Sequence, residues 1–203
     1  MITFISMLRG VNVGGHNMIK MDELRGLYQS LGLQQPQTYV QSGNVVFRAK
    51  EQNVAQLGTR IGDAIERKLG FRPGVILRTA SQMKDVIARN PFARREDIEP
   101  GKLIVMFLGS DPDPAMRDAV FALLQPAAGG RSLTANRARK AQRTTTGEEL
   151  WMDGSEVFIY FPDGMGRSKL VPLLERALKK SGTARNWNTV TKLLEMAEEL
   201  EAH

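Results

Sequence analysis

The stretch TYVQSGNVVF, Thr38 to Phe47, holds two β-rich runs, Thr38 to Val40 and Val45 to Phe47, around a polar centre of Gln41-Ser42-Gly43-Asn44. A glycine-containing break between β-branched and aromatic runs reads as a hairpin. The elements on either side of it decide the fold. Before it, Ile2 to Leu8 reads as a strand. Met21, Leu24, Leu27, Tyr28 and Leu31 then recur at helical spacing, with Asp22 and Glu23 at the N-terminal end and Gly32 as a stop. After it, Asn53 and Gln56 form a capping-box pattern for a helix whose apolar face is Val54, Leu57, Ile61, Ile65 and Leu69, and Gly70 closes that helix. Val75 to Leu77 is a further strand, and Ser81 is expected to cap a short helix through Ile87. The order β-α-β-β-α-β is that of the ferredoxin-like split βαβ unit.

This topology pairs the first strand antiparallel with the third. Arg9 and Asn12 therefore come to the sheet edge that carries Ser42 and Asn44. The first and fourth strands are expected to run parallel, which would bring Arg78 and Thr79 to the same edge.

Pro91 to Lys102, with two prolines and alternating charge, reads as a linker. Leu103 to Leu108 is a strand, and Asp113-Pro114 caps a helix through Leu124. Gly129 to Gly147 has the least regular pattern. It carries Arg131, Arg137, Arg139, Lys140 and Arg143, and the Arg131 to Arg143 stretch is expected to be mobile, solvated and not central to activity. A hairpin follows around Asp153-Gly154, then a helix capped by Ser168, and a last helix after Thr183-Ala184-Arg185-Asn186. The expectation is an α+β protein of two ferredoxin-like subdomains, residues 1–91 and 92–203. The second is divergent, with a helix in place of the fourth strand, and it includes the C-terminal helix. No sequence repeat relates the two.

Of the 203 residues, 42% are hydrophobic and 25% charged, as in an ordinary globular protein. There is no cysteine, which removes thiol catalysis and cysteine–zinc sites and fits a reducing cytoplasm. Only His16 and His203 could serve a histidine metal site or triad, so no metal is expected. No apolar run approaches the roughly 20 residues of a membrane span. MITFISMLRG lacks the basic n-region of a signal peptide. The net charge of +6 suits anionic partners.

Four motifs could carry chemistry. LRGVNVGGHN (Leu8 to Asn17) places Arg9, Asn12, Gly14 and Gly15 in a loop that could present backbone N–H groups to a phosphate. Its spacing matches neither the dinucleotide nor the P-loop pattern, and taken alone the loop reads first as a tight connection whose Gly14 and Gly15 need positive φ. Ser42 and Asn44 belong to the hairpin. FPDGMGRSKL (Phe161 to Leu170) leads Arg167, Ser168 and Lys169 into a helix N-terminus, where an anion is easily held and where a Ser cap alone is the bland reading. TARNWNTVTKL (Thr183 to Leu193) offers Arg185 and Asn186, the latter a candidate helix cap. Together these point to a small anionic ligand, phosphate- or nucleotide-like, bound by Arg, Asn, Ser and Gly side chains and backbone. The alternative is a nucleic-acid-binding module, which draws on the basic Arg131 to Arg143 stretch. The strands lack the aromatic stacking pattern of RNA-recognition domains. No acid–base group stands out, so no reaction follows.

LRGVNVGGHN-x₃-M-x₂-L, TYVQSGNVVF, NPF at Asn90 to Phe92, G-x-G-R-S-K-L and T-A-R-N-W-N-T-V-x-K-L together resemble an uncharacterised bacterial family. It is catalogued as a domain of unknown function, number sixteen ninety-seven. The resemblance spans nearly the full chain. It implies two ferredoxin-like α+β subdomains and no established activity. The positions that match are Arg9, Gly10, Asn12, Gly14, Gly15, Ser42, Gly43, Asn44, Ser168, Arg185, Asn186 and Thr189, and the resemblance assigns them no roles.

Overall fold

Strand β1 (Ile2–Arg9) is followed by α1 (Met21–Ser30), the hairpin β2 (Gln34–Tyr39) and β3 (Asn44–Ala49), α2 (Val54–Leu69), β4 (Gly74–Thr79) and α3 (Ala80–Ala88). A computed structural model describes residues 1–123, 142–144, 147–179 and 181–202. The four strands form one antiparallel sheet in the order β2-β3-β1-β4. Alternation along the strands sends Phe4, Leu8, Val45, Phe47 and Leu77 to one face. There they meet Leu24, Leu27 and Tyr28 of α1 and Leu57, Ile61 and Ile65 of α2 in a single core. The helix ends behave as their residues dictate. Asn53 accepts a hydrogen bond from the Gln56 amide at 3.0 Å, and Gly70 closes α2 in the left-handed conformation.

Three local expectations are corrected. β1 and β4 pair antiparallel, with Arg9 opposite Gly74 and Phe4 opposite Thr79. Arg78 and Thr79 therefore stand at the far end of the sheet from Arg9. In a split βαβ unit β4 runs parallel to β3, so it must oppose β1. The cap of α3 is Thr79, not Ser81. The Thr79 hydroxyl accepts from the Gln82 amide at 3.1 Å, and Gln82 accepts from the Thr79 amide at 2.9 Å, a reciprocal capping box. β2 begins at Gln34, ahead of the β-rich run, with an irregular register between Gln34 and Gln37. Pro36 is tolerated there because β2 is an edge strand.

The second half repeats the plan. It runs β5 (Leu103–Leu108), α4 (Pro114–Ala122), β6 (Gln142–Arg143), β7 (Glu149–Asp153), β8 (Glu156–Tyr160), α5 (Leu170–Ala177), β9 (Gly182–Asn186) and α6 (Trp187–Ala202). The sheet order is β6-β7-β8-β5-β9. Without the two-residue β6, this is the order of the first sheet. The fourth strand, expected to be missing, is β9, which pairs antiparallel with β5. Ile104, Met106, Leu150, Met152, Val157 and Ile159 face a core closed by Val120, Leu170 and Leu174. The Arg131 to Arg143 stretch lies outside the described residues, apart from the backbone of Gln142 and Arg143, which pairs with β7.

The presumed linker is a strap within this half. Arg89 donates to Asp153 at 2.7 Å and to Glu156 at 2.9 Å. Arg95 donates to Glu149 at 2.6 Å. Phe92 is 2% exposed and packs against the Tyr160 ring at 6.2 Å. By contacts the chain divides into Met1–Ile87 with Val190–His203, and Ala88–Thr189. The C-terminal helix from Val190 on thus groups with the first unit. No helix among the described residues is long and apolar enough to cross a membrane.

Candidate functional site

In the first unit, register brings β1 and the hairpin together as expected, with Met7 opposite Asn44. Most of the polar side chains there are turned inward. The Asn12 Nδ2 group donates to the carbonyls of Ile19 at 3.0 Å and Gln41 at 2.7 Å, and its Oδ1 accepts from the Ile19 amide at 2.8 Å. The two bonds with Ile19 close the loop on itself, and the one to Gln41 stitches the loop to the hairpin. Asn44, fully buried, donates to the Tyr39 carbonyl and to the Ser42 hydroxyl at 2.8 Å. Gly43 is required by space, because a Cβ there would stand 2.5 Å from Val11 Cγ2 and 2.8 Å from Leu8 Cβ. Gly14 and Gly15 sit at φ +58° and +76°, with the His16 amide donating to the Val13 carbonyl. That is the tight two-residue turn for which adjacent glycines are suited.

Arg9 stands apart from this network. Its stem lies over Gly74, with Cβ and Cδ 3.4 and 3.7 Å from where a Cβ on that glycine would be. Gly74 is on β4, the neighbour of β1 opposite to the hairpin strand. The tie between loop and hairpin is made by Asn12 and by the Leu8 amide, which donates to the Gly43 carbonyl at 2.9 Å.

In the second unit, Arg167, Ser168 and Lys169 line a pocket of about 390 Å³ with Glu148, Phe161, Pro162, Asp163 and Gly164. The positive φ of Gly164 (+83°) turns the chain out of β8, and the turn Met165–Arg167 delivers it to α5. Ser168 holds this corner. Its hydroxyl accepts from the Leu170 amide at 3.0 Å and donates to Glu148 Oε1 at 2.6 Å. The other carboxylate oxygen of Glu148 accepts from the Thr144 hydroxyl at 2.8 Å. Glu148 is 7% exposed and forms the floor. Arg167, Lys169 and Asp163 form an exposed rim. No motif pointed to Glu148, because its partner Ser168 is 20 residues away. Among the described residues, Arg167 and Lys169 make no side-chain hydrogen bond or ion pair. The pocket therefore presents two uncommitted cations beside a helix start.

Arg185 and Asn186 have structural duties. Arg185 is buried in β9 and donates to the Thr183 hydroxyl and the Ala184 carbonyl, both at 2.8 Å. Burial lowers its pKa to about 10, which leaves it charged at neutral pH. Asn186 accepts from the Thr189 amide at 2.9 Å and caps α6. Arg78 occupies the same place in the first sheet. It is the next-to-last residue of a fourth strand, equally buried, donates to the carbonyl of the preceding residue at 2.9 Å, and is followed by a capping residue and a helix. Among the described residues no group of three or more His, Asp or Glu could hold a metal ion.

Residues 1–151 match a family described as "Protein of unknown function (DUF1697)". The match ends within β7, so the motifs at 164–170 and 183–193 lie beyond it. No curated protein matches the chain. Among solved structures, the conserved bacterial protein SP0830 from Streptococcus pneumoniae is similar, with 20% identity and a TM-score of 0.67 over 98% of this chain and 99% of that one. At that identity the likeness shows a shared fold.

Proposed function

The chain belongs to this family of unknown function, and on that footing we propose that it binds a small anionic ligand, phosphate- or nucleotide-like, in the pocket at the start of α5. The observation that carries the reading is the pair Arg167 and Lys169. Both line one pocket and neither is paired with a carboxylate among the described residues. The volume of about 390 Å³ suits a small metabolite. Arg167 supplies a planar fork that fits a phosphate, and Lys169 a point charge. Ser168 fixes the corner that carries both. Phe161, buried beside the pocket, gives it an apolar wall.

Thermal unfolding of the full chain in inorganic phosphate tests this. A ligand bound only by the folded state raises stability by about 2.7 kcal/mol at 100 times its Kd. The reading expects such a rise in the wild type and its loss in the Arg167→Ala, Lys169→Ala double variant. An equal rise in both refutes it. Nucleic acid as the partner would instead show steep loss of binding with rising salt.

A further inference from the structure

We propose that the ligand of this pocket is a phosphomonoester bearing hydroxyl groups, a polyol or sugar phosphate, and not a nucleoside di- or triphosphate. This rests on the anion-site reading above and deepens it by naming the class of ligand. The buried Glu148 carboxylate is engaged by Ser168 and Thr144, so the ligand meets the rim. Three exposed charges make up that rim. Asp163 stands before the Met165–Arg167 turn, Arg167 at its end and Lys169 two residues on. None of the three makes a side-chain hydrogen bond or ion pair among the described residues.

The two cations set the anion. A phosphomonoester carries a charge of about −1.5 to −2 at neutral pH, which a guanidinium fork and an ammonium together match. Asp163 sets the limit. Each further phosphate would bring more negative charge into a pocket whose remaining rim group is a carboxylate, where like charges repel. The same carboxylate selects the rest of the ligand. When ionised it only accepts hydrogen bonds. Lys102 already acts on its charge through space while bonded to Glu99 at 2.7 Å. What Asp163 lacks is a donor, and a hydroxyl close to the phosphate ester supplies one. Phe161 and Pro162 complete the lining with apolar surface for the carbon skeleton.

The experiment measures calorimetric binding of three probes to the full chain without divalent cations: methyl phosphate, glycerol 3-phosphate and tripolyphosphate. Glycerol 3-phosphate is expected to bind about fivefold tighter than methyl phosphate, which has no hydroxyl to give. Tripolyphosphate, despite its greater charge, is expected to bind no tighter than methyl phosphate. Asp163→Ala changes an exposed side chain without a structural bond. It should bring glycerol 3-phosphate to the level of methyl phosphate and make tripolyphosphate the tightest of the three. Equal binding of the two monoesters, tripolyphosphate tightest in the wild type, or a pattern that survives Asp163→Ala overturns the polyol phosphate class. Those results spare the anion site as long as methyl phosphate binds saturably and is lost in Arg167→Ala, Lys169→Ala. Failure of every probe overturns both.

Discussion

Ser168 donates to Glu148 at 2.6 Å while accepting from the Leu170 amide, so one hydroxyl, a residue ahead of the Lys169 N-cap rather than the expected cap itself, takes the first N–H of α5 and fixes the buried carboxylate under the pocket. Removing it strands a helix N–H and takes one donor from a buried charge. Ser168→Ala is expected to cost about 1–3 kcal/mol. Chemical denaturation measures the loss. A change below about 0.5 kcal/mol would mean that the Glu148 carboxylate does not depend on this bond.

The turn between β2 and β3 makes opposite demands at two positions. A Cβ on Gly43 has no room, and its φ is +71°, so Gly43→Ala should cost well over about 1 kcal/mol. Val40 is 50% exposed and holds φ +49°, a conformation that a β-branched residue rarely adopts. Val40→Asn should therefore raise the melting temperature, by the equivalent of about 1 kcal/mol. A lower Tm for this variant would show that Val40 makes contacts outweighing its strain.

Much of the first unit was legible because its signals are local. Asn53 with Gln56, Gly70 after Leu69 and the alternation of Val45 and Phe47 each need only a few residues to read. β9 was not legible. Its inward residue is the small Ala184, its buried outer residues are Thr183 and Arg185, and Gly182 is there because a Cβ would stand 2.8 Å from Met106 Cγ. A strand whose partner fills the space for it carries little apolar pattern of its own. The strap was hidden for a related reason, since Arg89 and Arg95 find acids 54 to 67 residues away. Of the candidate site, the Arg167-Ser168-Lys169 motif was visible as a glycine-flanked helix start. The acid beneath it was not, because nothing in the Glu148 neighbourhood foretells a partner on α5.

The strap gives a stability prediction. Phe92 is buried against Tyr160, with the Arg95 guanidinium 5.7 Å from its ring centroid. Phe92→Ala should cost about 3–5 kcal/mol, seen as a drop in the denaturation midpoint. A midpoint within error of the wild type would make the Pro91 to Lys102 segment a linker after all.

Arg9 makes no side-chain hydrogen bond or ion pair among the described residues, and its stem rests on Gly74. Arg9→Ala should leave the melting temperature within about 2 °C of the wild type, the equivalent of about 0.5 kcal/mol. A fall of several degrees would make it a structural tie between the strands.

The central claim is that the pocket at the start of α5 holds a small anion. The most direct measurement is a phosphate titration of the ¹⁵N-labelled full chain followed by NMR. The account predicts saturable shifts centred on the amides of Gly164 to Val171 and of Glu148, abolished in Arg167→Ala, Lys169→Ala. Shifts confined to Arg9 to Asn17 and the Ser42 turn, or no saturable shift at all, would contradict it.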